Sequence, residues 1–351
     1  MTRFSQRFRL TGVSEANSVN KWFGGGFSFL TGFTLAVSHT TSIFIAVYPF
    51  NLGFGTKYAD PATLPTGYAP GVAFSPSGAA IAVAHGTSPF ISAYPFSAGF
   101  GTKYADPGTL PPATGQSVAF SPSGAAIAVA HNTSPYISAY PFSAGFGTKY
   151  ADPATTPTGT ARGVAFSPSG AHIAISHIGT PYISAYPFSA GFGTKIADPA
   201  TLPTGNAQKV AFSPSGAHIA IGHGTSPFIS VYPFSSSFGT KYANPATLPT
   251  GDGRGVAFSP SGTDIAVNDQ SSPYILAYPF SSGFGTKYAD PATLPTGAGY
   301  GVAFSPLGRE IAVAHNTSPF ISVYPFSAGF GTKYANPATL PINGGRGVAT
   351  I

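Results

Sequence analysis

Large apolar and small residues alternate in short runs along almost the whole chain, and each run stops at a cluster of Gly, Pro or Ser. Gly71 to Ser75 (GVAFS) puts Val72 and Phe74 on one face. Ile81 to His85 (IAVAH) does the same with Ile81 and Val83, and Phe90 to Phe96 (FISAYPF) with Phe90 and Tyr94. A more polar fourth run, Phe100 to Ala105 (FGTKYA), follows. Period-two alternation in short runs bounded by turn residues predicts strands. Ala73, Ala82 and Ala84 take the opposite faces. A small face of one sheet can then stack closely on the bulkier face of the next.

The set of four runs recurs. Tyr-Pro-Phe begins at Tyr48, Tyr94, Tyr140, Tyr186, Tyr232, Tyr278 and Tyr324, always 46 residues apart. The Gly-Thr-Lys lysines keep the same spacing, from Lys57 and Lys103 to Lys333. Seven such units predict an all-β fold: a seven-bladed β-propeller of four-stranded antiparallel blades. Gly347 to Ile351 falls in register with Gly71 to Ser75 and is a first strand with no second strand after it. Gly25 to Phe29, at the other end, is a degenerate first strand. The expected ring is closed by the C-terminal strand joining the first blade, which leaves no long exposed edge. Residues 25–351 form the propeller in this reading, and residues 1–24 stay outside it as an N-terminal arm.

Composition narrows the function classes. The 44 glycines and 35 prolines disfavour helices, and 30 Phe with 18 Tyr exclude a plain disordered chain. The chain has no Cys, which removes disulfides, thiolate metal sites and Cys nucleophiles. No apolar run is long enough to span a membrane as a helix. The N-terminus (MTRFSQRFRLTG) has no apolar core, so no signal peptide is expected. The net charge of +6 is spread thinly, which argues against a nucleic-acid partner.

The stretch Val72-Ala73-Phe74-Ser75-Pro76-Ser77-Gly78, followed by a β run and an aromatic third strand, resembles the WD-repeat and YVTN-like propeller families. The resemblance covers about residues 25–351 and implies the propeller fold. It departs from true WD repeats in two places. Tyr94-Pro95 stands where Trp-Asp would end the third strand, and no Gly-His precedes the first strand. The structural His/Asp network of those families is therefore not carried over. The near-identical repeats, with Tyr-Pro-Phe and Gly-Phe-Gly-Thr-Lys-Tyr, are also similar to uncharacterised propellers of tailed-phage virions. That similarity implies a virion or tail-appendage protein, and fold alone does not fix function.

The seven copies differ chiefly in the connection that leads into each first strand. This loop supplies the candidate ligand-binding residues Tyr68, Gln116, Arg162, Gln208, Lys209, Asp252, Arg254, Tyr300 and Arg346. The connections between second and third strands also vary (Gly86, Asn132, Ile178, Gly224, Gln270, Asn316), and propeller topology puts both loop sets on one face. Neutral drift of exposed loops and a binding face both account for this variation. A smaller variable set, including His172, His218, Asp264 and Glu310, falls on the opposite rim.

His39, His85, His131, His177, His223 and His315 share one repeat position, which Asp269 occupies in the sixth copy. A strand-end histidine bonded to the next turn (Thr87, Ser88) explains this better than a metal site. Equivalent positions on different blades do not converge as ligands must. Asp60 and its equivalents precede Pro and read as turn formers, with Asn244 and Asn336 as substitutes.

No acid–base pair, phosphate loop or nucleophile elbow is visible. The expected function is therefore a non-enzymatic binding or structural module of a phage particle, with no catalytic residues, metal or cofactor. Its multivalent rim would meet a host surface glycan or protein. Arg3, Phe4, Arg7, Phe8, Arg9 and Leu10 would dock the arm to a neighbouring virion subunit. The expected location is the virion, or otherwise the cytoplasm. The alternatives are a propeller hydrolase or lyase acting on a small ester or sugar, and an intracellular WD-repeat-like scaffold.

Overall fold

The computed structural model describes residues 32–351. The expected arm, its docking residues and the degenerate strand at Gly25 to Phe29 lie outside them. The described residues form twenty-one strands and no helix. In chain order these are β1 (Phe33–His39), β2 (Ile45–Phe50), β3 (Gly71–Phe74), β4 (Ala80–Ala84), β5 (Ile91–Pro95), β6 (Gly115–Phe120) and β7 (Ala126–His131). Next come β8 (Ile137–Pro141), β9 (Ala161–Phe166), β10 (His172–His177), β11 (Ile183–Pro187), β12 (Ala207–Phe212), β13 (His218–His223) and β14 (Ile229–Pro233). The last are β15 (Gly253–Phe258), β16 (Asp264–Asp269), β17 (Ile275–Pro279), β18 (Gly299–Phe304), β19 (Glu310–His315), β20 (Ile321–Pro325) and β21 (Gly345–Thr350).

They make seven antiparallel sheets of three strands, consistent with a seven-bladed propeller. Six sheets are runs of consecutive strands, β3-β4-β5 being the first. The seventh has the order β2-β1-β21 and joins residues from both ends of the described chain. There Val37 pairs with Val348 and Ala36 with Ala349. β21 also lies against both β18 and β3.

Each hairpin between first and second strands turns on Ser-Pro-Ser-Gly. Gly78 adopts a φ of 72°, a region open to glycine at no steric cost. Its N–H donates to the Ser75 carbonyl (2.8 Å), while the Ser75 hydroxyl accepts from the Ala80 N–H (2.9 Å). This fixes the register Val72↔Val83 and Phe74↔Ile81.

The sheets stack small face to large face. Ala80, Ala82, Ala84, Ile91 and Ala93 pack against Val118, Phe120, Ile127, Val129, Tyr140 and Phe142 of the following repeat. The same arrangement joins Ala312 and Ala314 to Leu35, Val37, Tyr48 and Phe50. A tyrosine bolts each pair of sheets. Tyr94 donates its O–H to the Thr63 carbonyl of the preceding repeat (2.8 Å), and Tyr140 to Thr109 (2.9 Å). Tyr186, Tyr232, Tyr278 and Tyr324 repeat the bond. Tyr48 makes it to Thr339, linking the first repeat to the last (2.8 Å).

The sheets have three strands where four were expected. The Phe-Gly-Thr-Lys-Tyr segment touches the third strand through an isolated bridge, Phe96↔Phe100 in the second repeat. Two further bonds run from the N–H of Gly101 to the Pro95 carbonyl and from that of Tyr104 to the Ala93 carbonyl. Pro95 has no N–H to return, so a continuous ladder cannot form along that edge. Side chains hold the segment instead: Phe100 meets Phe96 edge-on at 5.4 Å, and Tyr104 meets Phe142 of the next repeat at 5.5 Å. Phe90, expected on a strand face with Tyr94, precedes β5 and has a φ of 68°.

The tyrosine bolt makes a measurable claim. Tyr94→Phe leaves a part-buried carbonyl without its donor and should lower stability by about 1 kcal/mol in denaturant titration. Tyr48→Phe should cost a similar amount if the first and last repeats meet as the others do. A neutral Tyr48→Phe beside a costly Tyr94→Phe would show that they do not.

Candidate functional site

Six of the seven first strands carry one residue more than their partners. The register of β6 on β7 slips between Gly115 and Ser117, leaving Gln116 as the extra residue. Arg162, Gln208, Tyr300 and Arg346 are extra in the same way in β9, β12, β18 and β21. In β15, Arg254 and Gly255 together face Asn268. A β-bulge re-aims the side chain it carries. These residues, with Pro70 at the equivalent place before β3, meet around one cavity of about 230 Å³, which Tyr68 and Lys209 also line. A second cavity of about 140 Å³ adjoins it and shares Pro70, Lys209, Tyr300 and Arg346. Its walls are otherwise Gly, Val and Ser117 of the first strands. Close approach of these strands favours a small residue at the next position, which is Gly in five repeats and Ser117 in a sixth. A Cβ on Gly301 would sit 2.9 Å from the Arg346 carbonyl, and one on Gly71 would sit 2.9 Å from Ser117 Cα.

Lys209 is the one long side chain at that position. Its side chain reaches across to the carbonyls of Arg162 (3.1 Å) and Gln116 (3.4 Å). Burial, and then the Arg162 charge, pull its ammonium down to about 8. Arg162 donates to the Gln208 carbonyl oxygen Oε1 (2.8 Å), and Gln116 donates to the Tyr68 hydroxyl (3.3 Å). Burial, and then Arg254, shift the Arg162 guanidinium downward as well. The guanidinium carbons of Arg254 and Arg346 stand 4.5 and 4.0 Å from the centre of the Tyr300 ring. Cations over an aromatic face are attracted to it, so one ring positions both. Arg254 Nε is buried with no partner among the described residues.

Little negative charge opposes this group. Asp252 does not line the cavity and lies 3.8 Å from Arg254. The repeated lysines contribute no free charge here. Lys57, Lys103, Lys149, Lys195 and Lys287 pair with the aspartate three residues on, and Lys241 and Lys333 bond Asn244 and Asn336. Arg309 is thus the one remaining cation among the described residues that belongs to neither group. Larger cavities of about 460 and 310 Å³ lie at third-strand edges, and among the described residues no acidic or basic side chain lines them.

The structure therefore gathers Tyr68, Gln116, Arg162, Gln208, Lys209, Arg254, Tyr300 and Arg346 around one pocket and leaves Asp252 at its edge. Pro70, in phase with Gln116 at the 46-residue spacing, belongs to the same variable loop but was not among the candidate binding residues. The sequence reading missed the bulge and the crossing of Lys209, which have no one-dimensional signal.

No family model matches the chain, and comparison with curated proteins finds no match. Solved structures do resemble it. A candidate 6-phosphogluconolactonase from Bacteroides uniformis covers 91% of this chain over 99% of its own, at 16% identity and a TM-score of 0.68. The periplasmic gluconolactonase of Pseudomonas aeruginosa covers 92% over 99%, at 16% identity and a TM-score of 0.66. A protein from Lactobacillus plantarum covers 92% over 100%, at 13% identity and a TM-score of 0.69. The chain shares with them a repeated, multi-bladed propeller-like fold. Two of these three carry enzyme names. That finding overturns the expectation of a non-enzymatic phage module, and with it the expectation that the chain is no enzyme. The likeness to phage propellers gains no support.

The histidine series has a structural role. His85 Nδ1 lies 2.9 Å from the Thr87 carbonyl, and Nε2 lies 3.0 Å from the Ser92 hydroxyl. Such partners are met by Nδ1–H donating and Nε2 accepting. His131, His223 and His315 repeat both contacts. Asp269 substitutes by accepting from the N–H and O–H of Thr250 and the N–H of Ser271. Among the described residues no three His, Asp or Glu are grouped as metal ligands. On the opposite rim, the Tyr242 hydroxyl meets His218 Nδ1 (3.1 Å) and Tyr288 donates to Asp264 (2.7 Å), contacts that tie neighbouring segments together.

Burial pulls the six histidines of the series down to about 4 from an ordinary 6.5. The unfolded chain therefore binds protons that the fold refuses. Stability is fully present above pH 6.5 and declines as the pH falls from there towards 4. Each histidine contributes up to ~3 kcal/mol to this loss, at ~1.4 kcal/mol per pH unit. The unfolding temperature should drop steeply over that range, and less steeply for His85→Gln. A flat profile would contradict the neutral, buried assignment.

Proposed function

We propose that this protein is a propeller hydrolase that opens a small anionic lactone or ester at the bulge pocket. The observation that carries the proposal is the gathering of Arg162, Lys209, Arg254 and Arg346, from four different repeats, on one cavity of about 230 Å³. The enzyme names among its structural neighbours support the reaction class. This reading takes the seven sheets as the blades of a closed propeller with the pocket on its axis. The pairing of β21 with β1 and the Tyr48–Thr339 bond support closure.

The chemistry follows from the side chains. Guanidinium groups bind phosphate or carboxylate through charge-assisted hydrogen bonds, and the unpartnered Nε of Arg254 is a donor for such a group. Arg254 and Arg346, spaced by Tyr300, hold the anion. Arg162, braced by Gln208, faces the oxygen on which charge develops as water adds to the carbonyl. Asp252, set at the edge of the pocket beside Arg254, is the carboxylate assigned to accept the proton of the attacking water.

The test compares hydrolysis of glucono-δ-lactone with that of its 6-phosphate above the spontaneous rate. The phosphorylated substrate should show the lower KM. Arg346→Ala should raise that KM by about tenfold or more, the loss of one charge-assisted bond. Asp252→Asn should lower kcat by ~100-fold or more at little change in KM. Rates equal to the uncatalysed reaction for both lactones would overturn the proposal.

A further inference from the structure

Lys209 stands where the other six repeats have Gly71, Ser117, Gly163, Gly255, Gly301 and Gly347. The repeat has no structural need of a long side chain there. The glycines around it leave room for its stem, and its amine enters the space shared by the two cavities. Every Gly-Thr-Lys lysine is held by an aspartate or asparagine, and most are true ion pairs. Lys209 has two backbone carbonyls instead, one at 3.4 Å, and no carboxylate among the described residues is bonded to it. The charged groups around the pocket that contains it are Arg162, Arg254 and Arg346, with Asp252 set back beside Arg254.

We propose that Lys209 is a reactive amine that captures small anionic aldehydes and ketones as imines, the surrounding arginines holding the anion. A lysine surrounded by cations and removed from water is driven towards its neutral, nucleophilic form, in keeping with its fall to about 8. In the step itself, the Nζ lone pair attacks the carbonyl carbon and the C–O π electrons move to oxygen. Proton transfer from nitrogen to that oxygen and loss of one water leave the C=N bond. No electrons are gained or lost, and no co-reactant is needed. The arginines raise the local concentration of the anionic carbonyl compound and orient it, which an exposed lysine cannot do. The inference rests on the cationic pocket and Lys209, and not on ester hydrolysis.

The experiment treats the full chain with glyoxylate and sodium cyanoborohydride, which reduces the imine to a stable amine. Intact mass counts the adducts and peptide mapping places them. Lys209 should be labelled at least tenfold faster than Lys103, with the rate rising between pH 7 and 8.5 and falling when phosphate is added. Uncharged acetaldehyde should lose that selectivity. Lys209→Arg should abolish the fast adduct, and Arg346→Ala should slow it with Lys209 still in place. Both variants are first checked by thermal unfolding. Labelling spread evenly over the lysines, or a fast adduct that survives Lys209→Arg, would overturn the proposal. Lactone hydrolysis by the same preparation is scored separately, so trapping without hydrolysis and hydrolysis without trapping are distinct outcomes.

Discussion

The spacing between sheets is set by alanine. Ala82, Ala128 and Ala174 sit at the centre of second strands, fully buried, and face the Val, Ile, Phe and Tyr side chains of the next repeat. Closely packed interiors leave no room for extra methylenes, and inserting them typically costs 1–3 kcal/mol. The small face therefore fixes how near the sheets come. The bulky face fills what is left, and the tyrosine O–H reaches the preceding repeat only at that distance. Each contact is repeated around the molecule, so a modest local preference is multiplied without any deep central core.

This division of labour leaves a few positions free. The turn, the alanines, the tyrosine and the lysine–aspartate pair recur with little change, whereas the bulge residue is Gln, Arg or Tyr in six repeats, with Pro70 at the equivalent, unbulged place in the other. The bulge turns that one residue out of the ladder, so its identity does not disturb the pairing below it. Chemistry can thus change repeat by repeat while the scaffold stays constant. The result is asymmetric: Arg254, Tyr300 and Arg346 come from adjacent repeats and form one stack, with Arg162 and Lys209 beside it and Pro70 and Gln116 completing the wall.

Much of the architecture was legible in the chain. The 46-residue spacing gave the number of sheets, period-two alternation gave the faces, and the phase of Gly347 gave the pairing of β21 with β1. The four-strand expectation failed at Pro95, whose missing N–H is a local fact that the alternation of neighbouring residues conceals. The pocket residues stood out because they varied. What they face did not, because the convergence of residues 46 positions apart is a property of how the sheets pack in three dimensions. The charged set of the pocket was hidden for a related reason: its members come from several repeats and make no motif within one stretch.

Nearly all strand pairing in this molecule is local, between neighbours in one hairpin or one repeat. The sheet β2-β1-β21 is the exception: Val37 pairs with Val348, and the Ser38 hydroxyl accepts from the Gly347 N–H 309 residues away. Bringing such distant segments together carries the largest loop-closure entropy of any contact in the chain, and that entropy must be met before the contact gives anything back. Order of assembly follows. The interior repeats can form hairpin by hairpin as they leave the ribosome, while β1 and β2 wait for the last strand to be made. Among the described strands, the β1 edge that takes β21 has no other partner until then.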